Sequence, residues 1–115
     1  MNVKAVVATA RGGPDVLKLM DIELRWPQGA HDVLVALHAA ALNPADIYFR
    51  QYGGYISGEA PLVLGHDGMG VVKAVGAEVT TVKPGDRVAF CNGGIGGTPG
   101  TYAEAAVVPD DQLAK

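Results

Sequence analysis

Cysteine is nearly missing from this chain: Cys91 stands alone among 115 residues. A single thiol forms no internal disulfide and cannot build a cysteine-rich metal centre. Charge is sparse as well. Charged residues make up 18% of the chain and the formal net charge is −3, so no basic footprint for nucleic acid or for an anionic membrane surface is present. No apolar run approaches the roughly 20 residues of a membrane-spanning helix. The opening, Met1-Asn2-Val3-Lys4-Ala5-Val6-Val7, lacks the long apolar core of a secretion signal, and a reducing, cytoplasmic setting is the expectation. Internal repeats, charge blocks and flexible linkers are missing too.

Glycine and small apolar residues fill the space instead. Hydrophobic residues account for 49% and there are 16 glycines. A chain of this length is one domain, able to bury about two-thirds of its unfolded surface. Residues 4–9 are β-branched and strand-like. Arg11-Gly12-Gly13-Pro14 is a turn, and residues 16–24 alternate as a two-faced strand with one face mainly apolar. Trp26-Pro27-Gln28-Gly29 is a second turn, before a strongly apolar strand over residues 32–41. Asn43-Pro44-Ala45-Asp46 opens a short helix, with Asn43 able to cap and Pro44 suited to the first helical position; the helix ends near Gly53-Gly54. Further strands follow at residues 86–91 and 101–108. Six or seven short strands and one small helix predict a mainly β barrel or sandwich.

The densest information lies in Leu64-Gly65-His66-Asp67-Gly68-Met69-Gly70-Val71-Val72-Lys73-Ala74-Val75-Gly76, followed by Val82-Lys83-Pro84-Gly85-Asp86-Arg87-Val88. Glycines this frequent weaken a strand and are kept where another backbone or a ligand comes close. Pro84-Gly85 reads as a turn, with glycine free to take positive φ. This run resembles the signature of the medium-chain dehydrogenase/reductase superfamily, in its GroES-like catalytic domain. Three more blocks carry the resemblance in order. Ala5-Val6 with Gly12-Gly13-Pro14-Asp15-Val16-Leu17 is similar to the opening of the zinc-independent quinone oxidoreductase branch. Ala41-Leu42-Asn43-Pro44-Ala45-Asp46-Ile47-Tyr48-Phe49-Arg50 resembles its active-cleft block. Ala103-Glu104 to Val108-Pro109 resembles the strand that leaves the domain.

The resemblance implies a GroES-like, partly open β-barrel with one or two short helices, spanning residues 1–115 as a catalytic, substrate-side domain. Such enzymes are markedly longer, so the chain is expected to be a fragment whose Rossmann cofactor domain is missing. It implies NADPH as cofactor of the whole enzyme, a small quinone or enone as substrate, no zinc, no nucleic-acid or membrane partner, and room for a homo-dimer. Zinc members of the superfamily hold the catalytic metal with a Cys where Asn43 stands and a His where His66 stands. Zinc favours thiolate and imidazole ligands in tetrahedral array, and an amide oxygen is a poor substitute. Two alternatives stay open: a zinc-type alcohol dehydrogenase domain with an altered metal site, and a non-catalytic GroES-like binding or assembly module.

Each candidate residue has a functional and a plain reading. Tyr48 can donate to a substrate oxygen as negative charge develops, or be a half-buried aromatic. Asn43 can touch the nicotinamide end of a cofactor, or cap the helix. Asp46 can support the Asn43 turn or meet substrate. Tyr55 best matches a family tyrosine near the cofactor. His66-Asp67 can belong to the cleft or hydrogen-bond locally at a strand end. Arg50 reads as a solvated helix-end charge. Cys91 reads as a small buried hydrophobe. The glycine-dense loop over residues 93–100 has the wrong spacing for a dinucleotide fingerprint, with Pro99 where a glycine belongs and no helix after it.

Overall fold

The computed structural model describes residues 1–52, 62–91 and 100–115. The described residues form β1 (Asn2–Ala8), β2 (Leu17–Glu23), β3 (Asp32–Ala41), the helix α1 (Pro44–Tyr52), β4 (Leu62–Val63), β5 (Asp67–Val75), β6 (Arg87–Phe90), β7 (Ala105–Pro109) and β8 (Leu113–Ala114). Short 3-10 turns, Pro14–Val16 and Asp110–Gln112, lead into β2 and β8. The mainly β expectation holds, with two more strands than the pattern showed. Both, β4 and β8, are only two residues long, too short to carry a period.

The strands form two antiparallel sheets, β2-β1-β4 and β7-β3-β5-β6-β8. β3 is the axis of the larger one. It pairs with β5 from Val33↔Val75 to Ala41↔Asp67, with register shifts at Leu34/Val35 and Leu37/Ala39. On its other edge it pairs with β7 from Asp32↔Pro109 to Ala36↔Ala105. The segment before β7 stitches the sheets together. Val6 N–H donates to the Tyr102 carbonyl at 2.8 Å, Glu104 N–H to the Lys4 carbonyl at 2.9 Å, and Leu37 N–H to the Glu104 carbonyl at 2.8 Å. The result is a curled, partly open barrel.

The apolar run of β3 follows from burial on both faces, which removes the usual in–out alternation. Val33 and Val35 join Val72, Val88, Phe90, Ala106 and Val108 in one cluster. Leu34 joins Val3, Leu24, Ala105 and Val107 in the other. Glycine is needed where β5 meets β3: a Cβ on Gly70 would run into the Ala36 carbonyl oxygen. Gly85 takes the positive φ, +95°, that the turn reading requires. The two faces of β2 are present: Ile22, with Leu24 just past the strand, packs into the core, while Leu19 on the opposite face is 71% exposed. Met20 departs from the apolar face at 41% exposed, because β2 lies at the outer edge of the smaller sheet, with β1 as its neighbour.

Candidate active cleft

Helix α1 starts where β3 leaves the sheet, and Asp46 fastens that corner. Asp46 is buried. Its Oδ2 accepts the Asn43 backbone N–H at 2.9 Å and the Tyr102 hydroxyl at 3.1 Å. Its Oδ1 lies 3.1 Å from His66 Nδ1, a close contact without hydrogen-bond alignment. Asp46 therefore supports the Asn43 turn as the sequence indicates, by the side chain reaching back to the residue before the helix. His66 is buried beside it. A buried carboxylate is tolerable only with such donors around it.

Asn43 turns its side chain away from the helix. Its Nδ2 donates to Asp67 Oδ2 at 2.9 Å. Two carboxylates thus hold this residue, Asp46 on the backbone and Asp67 on the amide. Among the described residues, one amide hydrogen and the amide oxygen remain to meet a ligand. Burial pushes the Tyr102 phenol above its ordinary range. The nearby Asp46 charge and their hydrogen bond add to the shift, and Arg50 opposes it. Tyr102 stays protonated and serves as a donor at any physiological pH.

Asn43 and Asp67 each line a hollow. The larger, of about 420 Å³, is lined by Leu17, Leu42, Asn43, Pro44, Asp46, Ile47, Arg50, Leu64 and Tyr102. The smaller, of about 280 Å³, is walled by Ala39, Ala40, Ala41, Asp67, Gly68, Met69 and Phe90. Clefts of a few hundred Å³ suit small organic ligands.

The predicted site residues divide clearly. Asn43 and Asp46 come together in the larger cleft. Tyr48 is 51% exposed on α1 and does not line either hollow. Tyr55 and residues 93–99 of the glycine-dense loop lie outside the described residues. Two readings are corrected. Cys91 is exposed rather than buried, because it falls just past the end of β6. Arg50 is half-buried rather than solvated, since its Nε donates to the Gly12 carbonyl at 3.1 Å. Tyr102 was missed. Its position in a strand-like exit segment gave no sign of a partner 56 residues earlier.

Barrel and cleft together have counterparts among known proteins. The model of the alcohol dehydrogenase GroES-like domain matches residues 29–115. The chain belongs to this family, within the medium-chain dehydrogenase/reductase superfamily. It is 39% identical over 113 residues to a mouse quinone oxidoreductase, covering 96% of this chain and 32% of that protein. A Pseudomonas aeruginosa quinone oxidoreductase is 40% identical over 110 residues, with 96% and 32% covered. A bovine mitochondrial enoyl-[acyl-carrier-protein] reductase is 39% identical over 113 residues, with 97% and 29% covered. Among solved structures, the quinone oxidoreductase from Coxiella burnetii superposes with a TM-score of 0.89 at 32% identity, covering all of this chain and 37% of that one. The chain spans about a third of the length of these relatives.

Proposed function

We propose that this chain is the substrate-side barrel of a zinc-independent, NADPH-dependent oxidoreductase acting on quinones or enones. The observation that carries the reading is Asn43, clamped by Asp46 and Asp67 in the wall of a ligand-sized hollow. A side chain held by both its backbone and its amide is preorganised, which is what positioning chemistry needs. The kinship with quinone oxidoreductases and enoyl reductases supports the substrate class. A neighbouring structure, a mycobacterial protein complexed with NADPH, supports the cofactor.

When bound, the nicotinamide supplies the hydride. The residues here fit only its ring end: the Asn43 amide is polar, fixed and at a cleft mouth, whereas no glycine turn for a pyrophosphate occurs among the described residues. Asn43 is assigned the donation of a hydrogen bond to the acceptor oxygen on which negative charge develops, and Tyr48, which lines neither hollow, is assigned the same role on family resemblance. Asp46 holds Asn43 in place. Leu42, Ile47 and Leu64 supply the apolar wall that keeps water from the reacting groups. Asn43 in place of a thiolate leaves zinc without a ligand set and supports the metal-free assignment. Tyr55 is assigned to the nicotinamide neighbourhood on family resemblance.

The test is turnover by the full-length enzyme containing this chain. NADPH oxidation coupled to reduction of a quinone and of an enone is expected, and Asn43→Ala should lower kcat for both. Turnover unchanged by Asn43→Ala would remove the site from the reaction.

A further inference from the structure

The larger cleft joins apolar walls to four polar side chains, Asn43, Asp46, Arg50 and Tyr102. The Asp46 carboxylate is engaged by Asn43 N–H, the Tyr102 hydroxyl and the flank of His66. Arg50 is held differently. Gly12 N–H donates to the Arg50 carbonyl at 2.9 Å and Arg50 Nε donates back to the Gly12 carbonyl at 3.1 Å. The first bond ties the end of the helix to the Gly12 loop, and the second tethers the guanidinium to the same loop through Nε. Asp46 lies one helical turn earlier, the spacing at which Asp and Arg usually pair. No ion pair joins them among the described residues, because Asp46 is committed elsewhere. The two terminal nitrogens of Arg50 carry no hydrogen bond or ion pair among the described residues. A half-buried cation that is tethered through Nε and whose outer fork is open is a poor structural element and a good anchor.

From this geometry we infer that the cleft binds an apolar chain ending in a carboxylate, with the carboxylate on Arg50 and the chain along Leu17, Leu42, Ile47 and Leu64. One guanidinium matches one carboxylate in charge and in its two-pronged shape. A phosphate dianion calls for more donors than this rim offers. The apolar walls, each already part of the fold, favour a hydrocarbon over a sugar or a peptide. The inference does not depend on the hydride-transfer reading, because binding here needs neither cofactor nor turnover.

The experiment uses the 115-residue chain with decanoate and decanol, both below their aggregation concentrations, by calorimetric titration and by backbone and methyl chemical-shift mapping. Saturable decanoate binding is expected, with decanol roughly tenfold weaker for want of the charged hydrogen bonds. Arg50→Gln should abolish the preference and leave decanol binding unchanged. Ile47→Asp should weaken both ligands. In the unmutated protein, decanoate should shift the Leu17, Ile47, Leu64 and Arg50 signals, a readout that stands even where a variant fails to fold. Equal binding of decanoate and decanol, shifts confined to other residues, or no saturable binding would each overturn the assignment. A chain that binds decanoate but an enzyme that does not reduce quinones would sink the proposed function and leave this site standing.

Discussion

At the residue scale the molecule depends on one buried carboxylate. Asp46 gathers the start of α1, the exit segment through Tyr102 and the strand end at His66. Tyr102→Phe removes a hydrogen bond to a charged group and leaves a buried oxygen short of a donor. It should cost about 1.5–3 kcal/mol, read as a lowered urea midpoint with an unchanged slope. Gly70 is the second sensitive point. Gly70→Ala drives a methyl group into the Ala36 carbonyl and should cost about 1–3 kcal/mol by overpacking, checked by thermal unfolding. Tyr48 is the opposite case. It is half in solvent, and Tyr48→Phe should change stability less than turnover, lowering kcat of the full-length enzyme by roughly 10²–10³-fold at most. An unchanged kcat in steady-state assays with a quinone and an enone would return Tyr48 to a surface role.

At the scale of elements, His31 joins three connections. Its Nδ1 lies 3.0 Å from Asp110 Oδ2 and its Nε2 3.3 Å from Glu78 Oε2. Hydrogen bonding to Asp110, with the charges of Asp110 and Glu78, raises its pKa above the usual 6.5. The contribution to stability is therefore complete below about pH 6.5 and is lost as pH rises through the higher folded-state value. Melting temperature should fall over that range in the parent and stay flatter in His31→Gln, with added salt shrinking the difference because the cluster is exposed. The sequence showed the strands well where a whole segment obeyed one rule. Residues 32–41 matched β3 because burial on both faces at Val33, Leu34 and Val35 wrote a continuous apolar run. The Pro84-Gly85 turn was legible because only particular residues tolerate that backbone. In β2 alternation recorded the strand's period, but not that Met20 on its apolar face would stay uncovered. In the cleft, Asn43 and Asp46 were legible through a local capping pattern. Arg50 was misjudged, and Tyr102 missed, because their partners, Gly12 and Asp46, lie 38 and 56 residues away. Contacts of that kind leave no periodic trace.

At the scale of the whole molecule, a barrel with a short helix holds one wall of a site. Nucleotide recognition rests on a glycine turn meeting a helix N-terminus, and the described residues contain no such arrangement. Titrating NADPH into the 115-residue chain is expected to give no measurable heat, with the full-length enzyme as the positive control. Micromolar binding by the chain alone would overturn the division of labour proposed here. The sheet order has one further effect, on how the protein is made. β3 completes its pairing only with β7, whose first partner residue is Ala105 and last is Pro109. On the ribosome, the central strand emerges early and must stay half-paired until some seventy more residues have been synthesised. During that interval its apolar edge is open to any other chain nearby. The stretch most able to organise the finished barrel is therefore also the one most exposed to misassembly during translation, since β5, which arrives first, covers only its other edge.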